Sequence, residues 1–199
     1  GGARKLTANP AADFSPSFTP DGKFLVTRSQ RRAGFEADRW WLDVWDLATG
    51  TKRTVFTNPD LSVDEFCLSR DGKTVYFTAE SEGRKNLYEV SIAGGTPKEL
   101  KRGGNIGSLR AGAGFVVYAE STLTSPPEIF LLSLEEKSAS RSTRTSPVRA
   151  LTGANATWLA ETLGLRPFPL TDENRAAYHA GAAIASNYLV TLRHAAGSL

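Results

Sequence analysis

The sequence predicts a mainly β fold: a partial β-propeller of about three blades over residues 1–157, then a short C-terminal α-helical segment over residues 158–199. Three observations carry that prediction. Stretches of sequence recur at spacings of 42 to 50 residues, the length of one propeller blade. Each repeat divides into four short runs rich in Val, Phe, Trp, Tyr and Leu, bounded by Gly, Pro, Asn and Asp. Past Trp158 the pattern gives way to an Ala-rich stretch with apolar residues nearly all round a helix, the pattern of a buried helix that needs partners.

The repeats set the blade limits. PDGKFLVT at Pro20–Thr27 returns 50 residues later as RDGKTVYF at Arg70–Phe77. LDVWDL at Leu42–Leu47 returns as LYEVSI at Leu87–Ile92 and as IFLLSL at Ile129–Leu134, spaced by 45 and 42 residues. The first blade covers about residues 8–57, with strands over 14–18, 24–30, 39–47 and 51–57. The second covers about 62–101, with strands over 63–69, 74–81, 86–92 and 96–101. The third covers about 105–152, with strands over 106–111, 114–121, 128–134 and 147–152. Asp21-Gly22 and Asp71-Gly72 are hairpin chemistry, because the turn requires positive φ and glycine supplies it without a steric penalty. The third blade uses Ala111-Gly112-Ala113-Gly114 at this point. Residues 1–7 read as the outer strand of a preceding blade. The helix is expected over about 172–196, N-capped by Asp172 and ended by Gly197.

Composition excludes several classes. The 199 residues are 40% hydrophobic and 23% charged, which fits a globular chain. Lys plus Arg number 24 against 21 Asp plus Glu, a net charge of +3 too scattered to indicate a nucleic-acid partner. No run reaches the ~18 apolar residues of a membrane helix. The single cysteine, Cys67, excludes an internal disulfide and a cysteine-based metal site, and reads as a buried small apolar residue. No metal and no cofactor are expected. The first residues, Gly1 to Lys5, have no apolar run behind them and read as a truncated N-terminus, so the compartment stays open between cytoplasm and periplasm.

Catalytic patterns fail in turn. There is no Gly-x-Ser-x-Gly nucleophile elbow. The two histidines, His179 and His194, lie beyond the repeats, so no Ser-His-Asp triad can form within the blades. Gly112-Ala113-Gly114 lacks the third glycine of a dinucleotide loop and is followed by a strand, so it reads as a hairpin. The most informative stretch is Ser29 to Trp41, which joins the second and third strands of the first blade and is longer than a hairpin needs. It carries the candidate substrate-binding residues Glu36, Asp38, Arg39 and Trp40, as a binding loop on a rigid scaffold does. A structural alternative pins the loop by an Arg39–carboxylate pair, with Trp40 or Trp41 in the core. The polar tract 135–146 reads as a flexible insertion in the third blade.

Several stretches together resemble the propeller of the prolyl oligopeptidase family of serine peptidases, nearest its dipeptidyl peptidase 5 and acylaminoacyl-peptidase branch. They are Lys5-Leu6-Thr7, Asp13-Phe14-Ser15-Pro16, Thr19 to Lys23, Gly34-Phe35-Glu36-Ala37-Asp38-Arg39-Trp40, Ser125-Pro126-Pro127-Glu128-Ile129 and Arg149 to Asn155. The resemblance implies a propeller that caps an α/β-hydrolase domain and shapes a site where short peptides are cleaved. No catalytic residue of that family has a counterpart here. From about Trp158, Leu163 to Phe168, Arg175 to Ala180 and Ala185 to Leu189 resemble the start of a helical C-terminal domain in Rossmann-like oxidoreductase relatives. That resemblance implies a role for Asn187, with His179 two turns earlier. Ala183 stands where the relatives carry a catalytic lysine, so no catalytic set carries over. The two resemblances meet near Trp158-Leu159-Ala160-Glu161, which reads as a chimeric junction.

The functional expectation is a non-catalytic propeller segment of a serine peptidase that gates or shapes the peptide site of a hydrolase domain outside this chain. A stand-alone peptide- or protein-binding module is the alternative, and a fragment of a nicotinamide-dependent oxidoreductase-like protein is the second. Expected partners are a peptide substrate and a second copy of the chain through open blade faces, with no nucleic acid and no membrane.

Overall fold

The structure, a computed structural model, describes residues 2–3, 5–123, 125–134 and 148–152. Within them every regular element is a strand, twelve in all: β1 Asp13–Phe18, β2 Phe24–Ser29, β3 Trp41–Asp46, β4 Lys52–Thr54, β5 Val63–Leu68, β6 Thr74–Ser81, β7 Arg84–Ser91, β8 Lys98–Lys101, β9 Asn105–Ala111, β10 Phe115–Thr122, β11 Ser125–Ser133 and β12 Val148–Ala150. They form three antiparallel meanders of four strands, β1–β4, β5–β8 and β9–β12, each strand pairing with the next. The second and third meanders are joined by a single parallel bridge, Lys85 to Asn105, so they count as one eight-stranded sheet while remaining two blades. The helix expected over about 172–196, with His179 and Asn187, and the tract 135–146 lie outside the described residues.

Alternation along each strand explains the packing. In β6, Val75, Phe77 and Ala79 point to one face and join Val26, Leu42 and Val44 of the first blade in one core. Tyr76 points to the other face and joins Leu109, Val116 and Tyr118 of the third blade in a second core. The central blade is thus buried on both faces. Phe77 lies between Phe56 and Tyr88, with ring centroids 5.1 and 5.3 Å away. Such stacked pairs add roughly 0.5–1.5 kcal/mol beyond their buried area.

The repeat extends to individual atoms. In the first hairpin Thr19 Oγ1 donates to Asp21 Oδ1 at 2.6 Å, and Asp21 Oδ1 accepts the Lys23 N–H at 3.1 Å. In the second, Ser69 Oγ donates to Asp71 Oδ1 at 2.6 Å, and that oxygen accepts the Lys73 N–H at 3.0 Å. Gly22 and Gly72 take φ of 69° and 71°, as the turn requires. Residues 2–3 and 5–7 form no strand with the described residues.

Candidate functional site

Three blades share one plan, so a departure from it marks a candidate site. The second and third strands are joined by Glu82-Gly83 in the second blade and by residues 123–124 in the third, but by residues 30–40 in the first. This long loop is tied down from within. Gln30 Nε2 donates to the carbonyls of Glu36 at 3.2 Å and Asp38 at 2.8 Å. The Asp38 carboxylate accepts the N–H groups of Arg31 at 2.6 Å and Arg32 at 2.8 Å, and these hydrogen bonds lower its pKa below the ordinary carboxylate value.

The base of the loop is held by charge. Arg31 donates two bonds to the buried Asp43 of β3, Nη1 to Oδ2 at 2.8 Å and Nη2 to Oδ1 at 2.7 Å. Thr54 Oγ1 donates to the same carboxylate at 2.9 Å, and Lys52 Nζ lies 3.4 Å away. Burial pushes the Asp43 carboxyl up, but these hydrogen bonds and cations outweigh it and hold the group below its ordinary value. Trp41 and Trp45 flank Asp43 at alternate positions of β3. Arg39 sits 3.5 Å from the Trp41 ring centroid, and Lys52 lies 5.3 Å from that of Trp45.

The structure thus distributes the sequence candidates among different tasks. Asp38 faces the loop's own backbone. Arg39 stacks on Trp41 and donates to the Asn58 carbonyl at 3.0 Å; among the described residues it pairs with no carboxylate. The arginine–carboxylate clamp anticipated for Arg39 is made by Arg31. Trp40 is half-buried, edge-on to Phe14 at 5.6 Å and 4.7 Å from the Arg28 guanidinium, with its N–H on Ser62 Oγ and its carbonyl accepting from Val63. Glu36 is exposed, and its carboxylate makes no hydrogen bond or ion pair among the described residues. Beside it the exposed Phe35 ring lies 5.4 Å from the Arg32 guanidinium. The loop therefore presents Phe35 and Glu36 from a braced frame.

Burial, then the nearby Glu65, pushes the Cys67 thiol up to about 11, so it is a neutral thiol at physiological pH rather than a nucleophile. No cluster of His, Cys, Asp and Glu among the described residues has metal-binding geometry.

Comparison with known proteins places this frame. The chain is 37% identical to dipeptidyl-peptidase 5 of Porphyromonas gingivalis over 91 residues, 46% of this chain and 13% of that protein. It is 29% identical to a probable dipeptidyl-peptidase 5 of Emericella nidulans over 128 residues, 62% of this chain and 18% of that one. The fold is a β-propeller's, and the sequence is similar to peptidases. Among solved structures, TolB of Acinetobacter baumannii superimposes with a TM-score of 0.55 at 22% identity, covering 75% of this chain and 34% of that one. The chain therefore matches less than a fifth of the length of these curated relatives. A family model described as Domain of unknown function (DUF2520) matches residues 154–199.

The clamp at Asp43 was hidden from the sequence, because a lone Asp in an alternating strand reads as a surface position. One signal was available: Asp43 shares its face with Trp41 and Trp45, and a carboxylate among aromatic rings requires a cation.

Proposed function

We propose that residues 1–157 act as a non-catalytic propeller segment of a prolyl-oligopeptidase-like serine peptidase, shaping the approach of a peptide to a hydrolase domain. The carrying observation is the braced 30–40 loop on a peptidase-like blade, absent from the two sister blades. In this reading Glu36 and Phe35 meet the peptide. Asp38, Arg39 and Trp40 hold the loop in shape, because a contact surface gains affinity when its ordering cost is met beforehand. In this reading residues 158–199 are a separate segment of different origin, a division that the family match over 154–199 supports.

Two measurements test this. The purified chain is expected to show no turnover of dipeptidyl or acyl-aminoacyl chromogenic substrates; persistent turnover after repurification refutes the non-catalytic reading. Grafting residues 30–40 into the P. gingivalis enzyme at the corresponding strand connection is expected to change KM between dipeptide substrates with little change in kcat. An unchanged KM profile in a folded graft refutes a role for the loop in substrate access.

A further inference from the structure

A second departure from the blade plan lies at the opposite end of the strands, where the first and second strands of each blade turn. The hairpin of the first blade closes from Thr19 to Phe24 and that of the second from Ser69 to Thr74, leaving four residues between. The hairpin of the third blade closes from Gly112 to Phe115, leaving two, Ala113 and Gly114. Between the first two blades the longer turns meet: a Cβ on Gly72 would come within 2.8 Å of Pro20 Cδ. Between the second and third blades the shortened turn leaves a cleft of about 400 Å³. That volume lies in the lower range of small-molecule sites.

The cleft is lined by Arg70, Asp71, Thr74 and Tyr76 on one side and Ala113 and Gly114 on the other. Its polar groups are uncommitted. Arg70, which replaces Pro20 of the first blade, makes no hydrogen bond or ion pair among the described residues. The Tyr76 hydroxyl likewise makes no hydrogen bond there and is not sealed from the cleft. Asp71 uses Oδ1 for Ser69 and Lys73, which leaves Oδ2 without a partner. The lining therefore offers a guanidinium at Arg70, a carboxylate at Asp71 and a hydroxyl at Tyr76. A simple anion would meet the charge of Asp71, whereas a molecule bearing both a carboxylate and an ammonium complements both groups. We propose that this cleft binds a small zwitterion, a free amino acid or a dipeptide, with its carboxylate on Arg70 and its ammonium on Asp71. This site is independent of the role given to the 30–40 loop.

Calorimetric titration of the full chain with alanine, alanyl-alanine, acetate and methylammonium tests the proposal. Saturable binding is expected for alanine or alanyl-alanine, and which of the two binds more tightly identifies the source. Neither acetate nor methylammonium is expected to bind. Arg70→Gln should weaken the zwitterion by about tenfold or more, the loss expected for a charged hydrogen bond. Ala113→Trp, at an exposed turn position, should fill the cleft and abolish binding while the thermal melt stays cooperative. No saturable binding, equal binding of acetate, or full binding by folded Arg70→Gln or Ala113→Trp would each overturn the proposal.

Discussion

Arg31 and Asp43 face each other through two parallel hydrogen bonds of 2.8 and 2.7 Å, and this pair ties the base of the 30–40 loop to the middle of β3. The Asp43 side chain is fully buried, while that of Arg31 is 31% exposed. Asp43→Ala leaves Arg31, Lys52 and Thr54 facing an empty site. We predict a loss at the lower end of the ~3–5 kcal/mol typical of breaking a buried pair, because Arg31 regains part of its hydration. Urea unfolding of the variant measures it; a loss below ~1 kcal/mol would show the pair to be a surface ornament.

The same pair predicts a pH dependence. Because folding lowers the Asp43 pKa, its contribution is present above the ordinary carboxylate value and is lost as pH falls through the lowered one. As pH falls below about 4, the ordinary carboxylate value, stability should fall less steeply in Asp43→Asn than in the parent chain. Acid titration of both by circular dichroism decides, and identical profiles would assign the acid limb to other carboxylates.

Asp38→Ala should loosen the loop without unfolding the blade, since the bonds lost are to the N–H groups of Arg31 and Arg32. Limited trypsin digestion is expected to cut faster after Arg31, Arg32 or Arg39, with the melting midpoint nearly unchanged. Equal cutting rates would mean that Gln30 alone suffices to hold the loop.

Gly22 and Gly72 occupy equivalent turns at nearly equal φ, yet alanine should be tolerated differently. At Gly22 the added methyl has open space, and the cost is the left-handed backbone alone, about 1–2 kcal/mol. At Gly72 it also strikes Pro20, and overpacking adds about 1–3 kcal/mol. Comparing the two variants by urea midpoint isolates that steric difference.

Phe77 bridges the first two blades, so Phe77→Ala should cost about 3–5 kcal/mol. A single cooperative transition at a lower midpoint is expected. Two separate transitions would show that the blades unfold independently.

Much of this architecture was legible in the residues. Asp-Gly placed two hairpins correctly because a turn is fixed by the chemistry of a few adjacent residues. Alternation placed the inner strands because Val75 and Phe77 must share one face. Outer strands were read too long: 51–57 shortens to Lys52–Thr54 and 147–152 to Val148–Ala150, since an outer strand is held by one partner only. The predicted start of β3 at 39 moved to Trp41, because Arg39 and Trp40 turn aside to Asn58 and Ser62. The Arg31 clamp and the cleft beneath Ala113 stayed hidden. The first depends on partners far apart in sequence, and the second on a turn two residues shorter than its sisters.

The lone Lys85–Asn105 bridge carries a mechanical consequence. Tension applied across the second and third blades meets one backbone contact and a film of side chains, while inside each blade it meets a full ladder of hydrogen bonds. Pages part before they tear, and a seam between blades is where a molecular machine pulling on the polypeptide would gain entry.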